Sequence, residues 1–371
     1  YYNETTKILD NQIELYKNAA SYLYGVKKSR LNSLIRKSGS LQTIFESPIN
    51  ELAKRIGAPE RQLNSMEISR ALKHARKNLY FNKKHKISNL FFKEETYPSQ
   101  LKECTDGPIS LNVLGPLKFK NKRIVSVVGS RKCSHHAKEM TQQLISSFQG
   151  SEVIVLSGLA SGVDTFVHES CLKYNVNTAA VLGHGLQMIY PSKNRILAKK
   201  ILDSGGALIS EFDYQKKPNK YSFPQRNRII AGMSDVTVII ESGIKGGGMI
   251  TAELANNYAR EVMAFPNAIR DVSFGGCNEL IKKNKAHLIT EANDLFELMN
   301  WEINTQNEYP LELSNNEREI LKAIQQRNDI HIDELIQNSK LGVGHLQSML
   351  VELELKNIIA SSPSLCYSIK S

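Results

Sequence analysis

The chain has 371 residues, 41% hydrophobic and 23% charged, with a formal net charge of +11; this is a globular composition, long enough for two or three domains and biased toward an acidic partner. The five cysteines, Cys104, Cys133, Cys171, Cys277 and Cys366, are scattered and form no CxxC pair, so neither disulfides nor a metal site nor a cofactor is expected. No apolar run approaches the roughly 20 residues of a membrane span and no signal-peptide pattern is seen, so a cytoplasmic protein without membrane contact is expected.

Charge is unevenly spread. Residues 1–84 hold 16 basic against 7 acidic residues, 85–313 hold 26 against 23, and 314–371 hold 6 against 7. The first segment reads as an all-helical domain of short helices with basic faces, clearest over 50–81, where apolar residues recur every three or four positions. Two turns, LYGVKKSRL (23–31) and RIGAPERQL (55–63), place a glycine between helices in the manner of helix-hairpin-helix or SAM-like modules, which offer backbone N–H groups to phosphate. Lys27 stands where the first hairpin would have its second glycine, and a solvated basic surface with ordinary turns fits as well.

Residues 85–300 read as a second domain. Seven apolar, β-branched runs, RIVSVVG (123–129), EVIVLSG (152–158), NTAAVLG (177–183), GALISEF (206–212), DVTVIIE (235–241), EVMAFP (261–266) and AHLIT (286–290), alternate with helical segments. Such runs indicate an α/β fold, a doubly wound parallel sheet covered on both faces. Ligands in that architecture sit beyond the carboxyl ends of the strands. Residues 301–313 read as a polar linker, and 314–371 as three helices and a hairpin, a winged helix that opens on the capping box SNNE (314–317).

The strand ends carry the chemistry. After the first run, Gly129, Ser130 and Arg131 combine close backbone approach, donors and a guanidinium fork. After the second, Gly158, Ser161 and Gly162 leave room for a ligand, while Asp164 and His168 read as a helix cap and a partly buried histidine as readily as ligand groups. After the fifth, ESGIKGGGMITAE (241–253) sets Lys245 beside a glycine cradle that includes Gly247 and Gly248 and leads to Thr251. No Lys-Ser or Lys-Thr follows the last glycine, so it is not a Walker A loop, and it is not the dinucleotide GxGxxG either. FPQRNRIIAG (223–232) offers Phe223 for base stacking, Asn227 for hydrogen bonding, and Arg226 and Arg228 for phosphate. Two cations at a helix start oppose the helix dipole, which favours an anionic ligand there.

GSR (129–131), LASGVDTFVH (159–168), VLGHGLQMIYP (181–191), FPQRNRIIAGMS (223–234), KGGGMITA (245–252) and GCNELI (276–281) together resemble the DNA processing protein A family, also called Smf. The resemblance implies an extended Rossmann-like domain between a SAM-like and a winged-helix domain. It implies a non-catalytic protein of natural transformation that protects incoming single-stranded DNA and loads RecA onto it, usually as a homodimer. The family's basic pocket corresponds to Ser130, Arg131, Phe223, Arg226, Asn227, Arg228 and Lys245. The chain departs from the family pattern at Gln187, Asn267 and Phe274, which leaves the loop shape near 267–275 open.

The winged module carries His345 and Gln347 but also Glu352 and Glu354 on its third helix, so protein contact or an accessory role is expected of it. Weaker contacts to double-stranded DNA are expected from the basic N-terminal part. The alternative is an enzyme related to nucleoside-monophosphate phosphoribohydrolases, with Glu253 and Arg228 acting beside the glycine loop. That segment lacks the Pro-Gly-Gly start and Gly-Thr step of those enzymes.

Overall fold

The computed structural model describes residues 12–23, 27–56, 65–268, 274–301, 314–327, 330–339, 341–355, 358–362 and 365–369. The chain divides into two compact units, Tyr1–Ile303 and Asn304–Ser371. The glycines of the two N-terminal turns, Gly25 and Gly57, and the 302–313 stretch lie outside the described residues.

The first unit begins with helices α1 (residues 12–20), α2 (Lys28–Ser38), α3 (Leu41–Glu46), α4 (Ile49–Ile56) and α5 (Ser65–His85). Local chemistry sets their ends. Gly39 takes φ +95 and returns its N–H to the Ile35 carbonyl, closing α2, and Ser40 caps α3 by accepting from the Thr43 N–H. Along α5, Ile68, Ala71, Ala75, Asn78 and Asn82 are buried, the three-and-four spacing of one helical face. The apolar cluster holding Leu31, Ile44, Leu52 and Ala75 continues without a break into Phe91, Leu111 and Val113 of the sheet.

Nine strands follow in the described residues: β1 (Ser88–Phe91), β2 (Ser110–Leu114), β3 (Ile124–Val128), β4 (Ile154–Ser157), β5 (Asn177–Val181), β6 (Ala207–Ser210), β7 (Val236–Ile239), β8 (Glu261–Ala264) and β9 (His287–Leu288). They form one sheet in the order β1-β2-β6-β5-β4-β3-β7-β8-β9. Strands β3 to β9 are parallel to one another, and they correspond to the seven apolar runs. Strands β1 and β2 add an antiparallel edge through β6, which the run pattern had not shown.

Alternation within β3 explains the layers. The helices after β1 include α6 (Ser99–Glu103), α7 (His135–Ser146), α8 (Val163–Lys173), α9 (Arg195–Asp203), α10 (Ser222–Met233) and α11 (Gly247–Asn257); Val125 and Val127 join the cluster of α7 and α8, whereas Ile124 and Val128 join that of α10 and α11. The sheet is therefore covered on both faces. Because β4 lies on one side of β3 and β7 on the other, strand order reverses between β3 and β7, where a crevice opens in doubly wound folds.

The second unit is a winged helix: helices Asn315–Arg327, Ile332–Asn338 and Val343–Leu355 with a three-stranded antiparallel sheet in which Cys366–Ile369 lies between Ile330–His331 and Ile359–Ser361, the strands Ile359–Ser361 and Cys366–Ile369 forming the wing. Its own core includes Leu321, Ile324, Leu346, Leu350 and Leu353. The capping box forms as read, Glu317 accepting from the Ser314 N–H at 2.7 Å and Ser314 from the Glu317 N–H at 3.3 Å.

Candidate nucleic-acid interface

A cavity of about 660 Å³ opens at the carboxyl ends of β3 and β7. Gly129, Ser130 and Arg131 come from the end of β3, Gly247, Gly248 and Thr251 from the first turns of α11, and Phe223, Arg226 and Asn227 from α10. No side chain caps α11, whose N-cap is Gly246, so the helix presents backbone N–H groups and the positive end of its dipole to the cavity. Thr251 is buried, its hydroxyl donating to the Gly247 carbonyl at 3.2 Å.

An aromatic and cationic cluster stands at the mouth. The Arg131 guanidinium carbon lies 5.6 Å from the Phe223 ring centroid, and the Tyr190 ring lies 5.8 Å from it at 37°. Tyr190 is half exposed. Tyr190 and Lys220 line the cavity without having been singled out in the sequence. The signal for Tyr190 was an aromatic residue before proline in the loop after a parallel strand; Lys220 lies in a polar stretch with no such signal.

Arg226 is almost fully buried. Its Nη1 donates to the Val181 carbonyl at 2.9 Å, and its Nε has no partner among the described residues. Asp164, also buried, accepts from the Gly158 and Ala160 N–H groups at 3.2 Å each. Burial pushes its carboxyl up against the opposing pull of Arg226, and burial likewise weakens the hold of Arg226 on its proton. Gly158 makes this arrangement possible: a Cβ there would lie 1.5 Å from Arg226 Nη1. Gly162 takes φ +83, and a Cβ on it would meet the Ser130 carbonyl at 2.3 Å. Both glycines are thus explained by protein contacts, although Gly158 and Ser161 also line a recess of about 60 Å³ beside Arg226 and Phe223. His168 is buried away from the cavity, its Nδ1 2.8 Å from the Thr178 hydroxyl, and burial lowers its pKa to about 3.

Two expected members are elsewhere. FPQRNR lies inside α10 rather than ahead of it, and residues two apart on a helix point nearly opposite ways. Arg226 therefore faces the cavity, and Arg228 faces a separate pocket of about 350 Å³, where it pairs with Glu211 and donates to the Asp106 carbonyl. The inference of two unpaired cations at a helix start fails on this point. Lys245 is exposed and does not line the cavity.

The hydrolytic arrangement does not assemble either: Glu253 is turned to solvent and bonded to Lys285 at 2.9 Å, far in sequence and in pairing from Arg228. Asn267, one of the departures from the family pattern, donates its N–H to Asn278 Oδ1 at 3.0 Å and its side-chain amide to the Phe274 carbonyl at 3.2 Å; 269–273 lie outside the described residues. Among the described residues no helix is long and apolar enough to cross a membrane.

The family model described as DNA recombination-mediator protein A matches residues 88–300, and the DprA winged helix domain matches 305–364. Protein Smf of Synechocystis is 30% identical over 310 residues, 73% of this chain and 77% of that protein. Protein Smf of Escherichia coli is 38% identical over 203 residues, 55% of this chain and 54% of the relative, so the match spans about half that protein. Among solved structures, DNA processing protein A of Streptococcus pneumoniae is similar at a TM-score of 0.63 and 28% identity, covering 77% of this chain and 96% of that one. The Helicobacter pylori protein, whose structure describes a single-stranded DNA binding mode, is similar at a TM-score of 0.50 and 27% identity, covering 57% and 95%.

Proposed function

The chain belongs to the DNA recombination-mediator protein A family, and from that premise we propose that the cavity between β3 and β7 binds single-stranded DNA. The observation that carries the reading is the grouping of Arg131, Phe223 and Tyr190 at the mouth of a cavity floored by the open start of α11. An unpaired base has a free face for Phe223 or Tyr190, whereas in duplex DNA that face is stacked. Arg131 and Lys220 supply charge for the flanking phosphates, and the N–H groups of α11 take one phosphate without demanding a sequence. Buried Arg226, joined to Val181 and facing Asp164, sets the positive potential of the floor and shapes it.

We further propose that the protein holds the strand without transforming it and, as a homodimer in the cytoplasm, hands it to RecA during natural transformation. Membership of the family supports this part, as does the solvent-facing pairing of Glu253 with Lys285.

The test is an anisotropy titration of the full chain with single-stranded and duplex oligonucleotides across salt. Arg131→Ala is expected to weaken single-strand binding by about tenfold and reduce the slope of log K against log salt by about 1. Phe223→Ala is expected to cost about 1–3 kcal/mol with the slope unchanged. Wild-type-like binding by both variants would remove the cavity from the account. For the RecA step, RecA ATP hydrolysis on a strand covered by single-strand-binding protein should start sooner when this protein is added; an unchanged lag would count against delivery.

A further inference from the structure

About half of the basic excess of the first 84 residues lies on one side of α5. Arg70, Lys73, Arg76, Lys77, Lys83 and Lys84 are all exposed, and at 3.6 residues per turn they fall within about 140° of arc. The opposite face carries Ile68, Ala71, Ala75, Asn78 and Asn82, all buried. Glu67, the one acidic residue of the helix, lies outside the basic arc. Among the described residues Arg70, Lys73, Lys77 and Lys84 form no ion pair with a carboxylate; the nearest pair at the margin joins His74 to Asp213 at 3.8 Å.

We propose that this face of α5 is a binding surface for double-stranded nucleic acid, separate from the single-strand cavity. From Arg70 to Lys84 the row runs about 21 Å at 1.5 Å per residue, a length over which a duplex presents about 12 phosphates. A convex row of cations on a straight helix suits such a fixed array. A single strand is held instead by grooves with several stacking rings, and here Tyr80 is the one exposed ring of the row among the described residues. An anionic membrane is the poorer fit, because a helix lying on lipid inserts an apolar face, and the apolar face of α5 is already buried in the protein core.

Contacts at the margin of the basic arc and on the buried face anchor the surface to the rest of the unit. Phe81 stacks on Tyr214 with centroids 4.3 Å apart, and Asn82 donates to Asn112 Oδ1 at 3.0 Å. Tyr214 begins the stretch that reaches Lys220 at the cavity, so both surfaces are joined to one loop after β6.

The experiment compares the full chain with its Lys73→Glu/Lys77→Glu/Lys84→Glu variant for binding a blunt 25-base-pair duplex, a single-stranded oligonucleotide, and phosphatidylglycerol vesicles. Duplex affinity is expected to fall about a hundredfold at 0.1 M salt, and the salt slope by about 3, while single-strand affinity stays within about twofold because the cavity is untouched. Arg131→Ala should show the converse pattern. A wild-type chain that does not bind duplex, a variant whose duplex binding is unchanged, or a variant whose loss is confined to vesicles would each overturn the proposal. An equal loss for duplex and single strand would also overturn it, since the two surfaces would then be one.

Discussion

The guanidinium of Arg226 occupies space that a methyl group on residue 158 would need. A Cβ at Gly158 would stand 1.5 Å from Nη1, and although an arginine end is flexible, this one is buried and bound to the Val181 carbonyl. Gly158→Ala is therefore expected to push Arg226 off Val181 and away from Asp164, destabilising the protein by about 2–4 kcal/mol. Chemical denaturation checks this, and a midpoint unchanged from wild type would show that the guanidinium moves at no cost. Residue chemistry was only partly legible in the sequence. Glycines after strand ends are visible in the sequence, but Gly158 and Gly162 accommodate Arg226 and the β3 loop. Sequence spacing carries no sign of such a side chain arriving from 68 positions later.

At the scale of elements, helix phase separates the two arginines. Once FPQRNR is helical, Arg226 and Arg228 cannot share a ligand. Arg228 is instead the partner of Glu211, which is largely buried, has one carboxylate oxygen with no partner among the described residues, and is pushed upward in pKa by burial. Removing the arginine leaves that carboxylate uncompensated. Arg228→Ala should cost about 3 kcal/mol of stability while single-strand affinity at a temperature where the variant is folded stays near wild type. A loss of affinity with stability intact would restore Arg228 to the DNA site.

The same scale shows why most of the sheet could be read in advance. Strands β3, β4 and β7 are buried at every position, and burial on both faces leaves continuous apolar runs in the sequence. Strands β1 and β2 are not visible in the same way because polar residues break their apolar pattern. The exposed Ser88 begins β1, while Ser110 and Asn112 interrupt the apolar run of β2. Asn112 is buried as a hydrogen-bonding hub for Asn82 and Asn89, and such satisfied polar positions blur the apolar pattern.

For the molecule as a whole, strand order places the site. The reversal between β3 and β7 brings together Gly129–Arg131 and the start of α11, more than a hundred residues apart in the chain. The seven runs in chain order could indicate a parallel sheet but could not say which two strands flank the crevice. That required the pairing of Val125 with Ile154's neighbour Val155 on one side and with Val236 on the other. Charge follows a similar division: a basic helical face, a cavity with a few placed cations, and a winged-helix unit with 6 basic against 7 acidic residues. Only the first and last of these were visible in composition.

The claim that the β3–β7 cavity holds single-stranded DNA is tested most directly by photocrosslinking a 5-iodouracil-substituted single strand to the full chain and mapping the modified residues by mass spectrometry. Attachment at Phe223 or Tyr190, competed by unlabelled single strand and lost in Phe223→Ala/Tyr190→Ala, is the expected result. Attachment confined to α5 or to the winged-helix unit, with both cavity rings unmodified, would contradict the account.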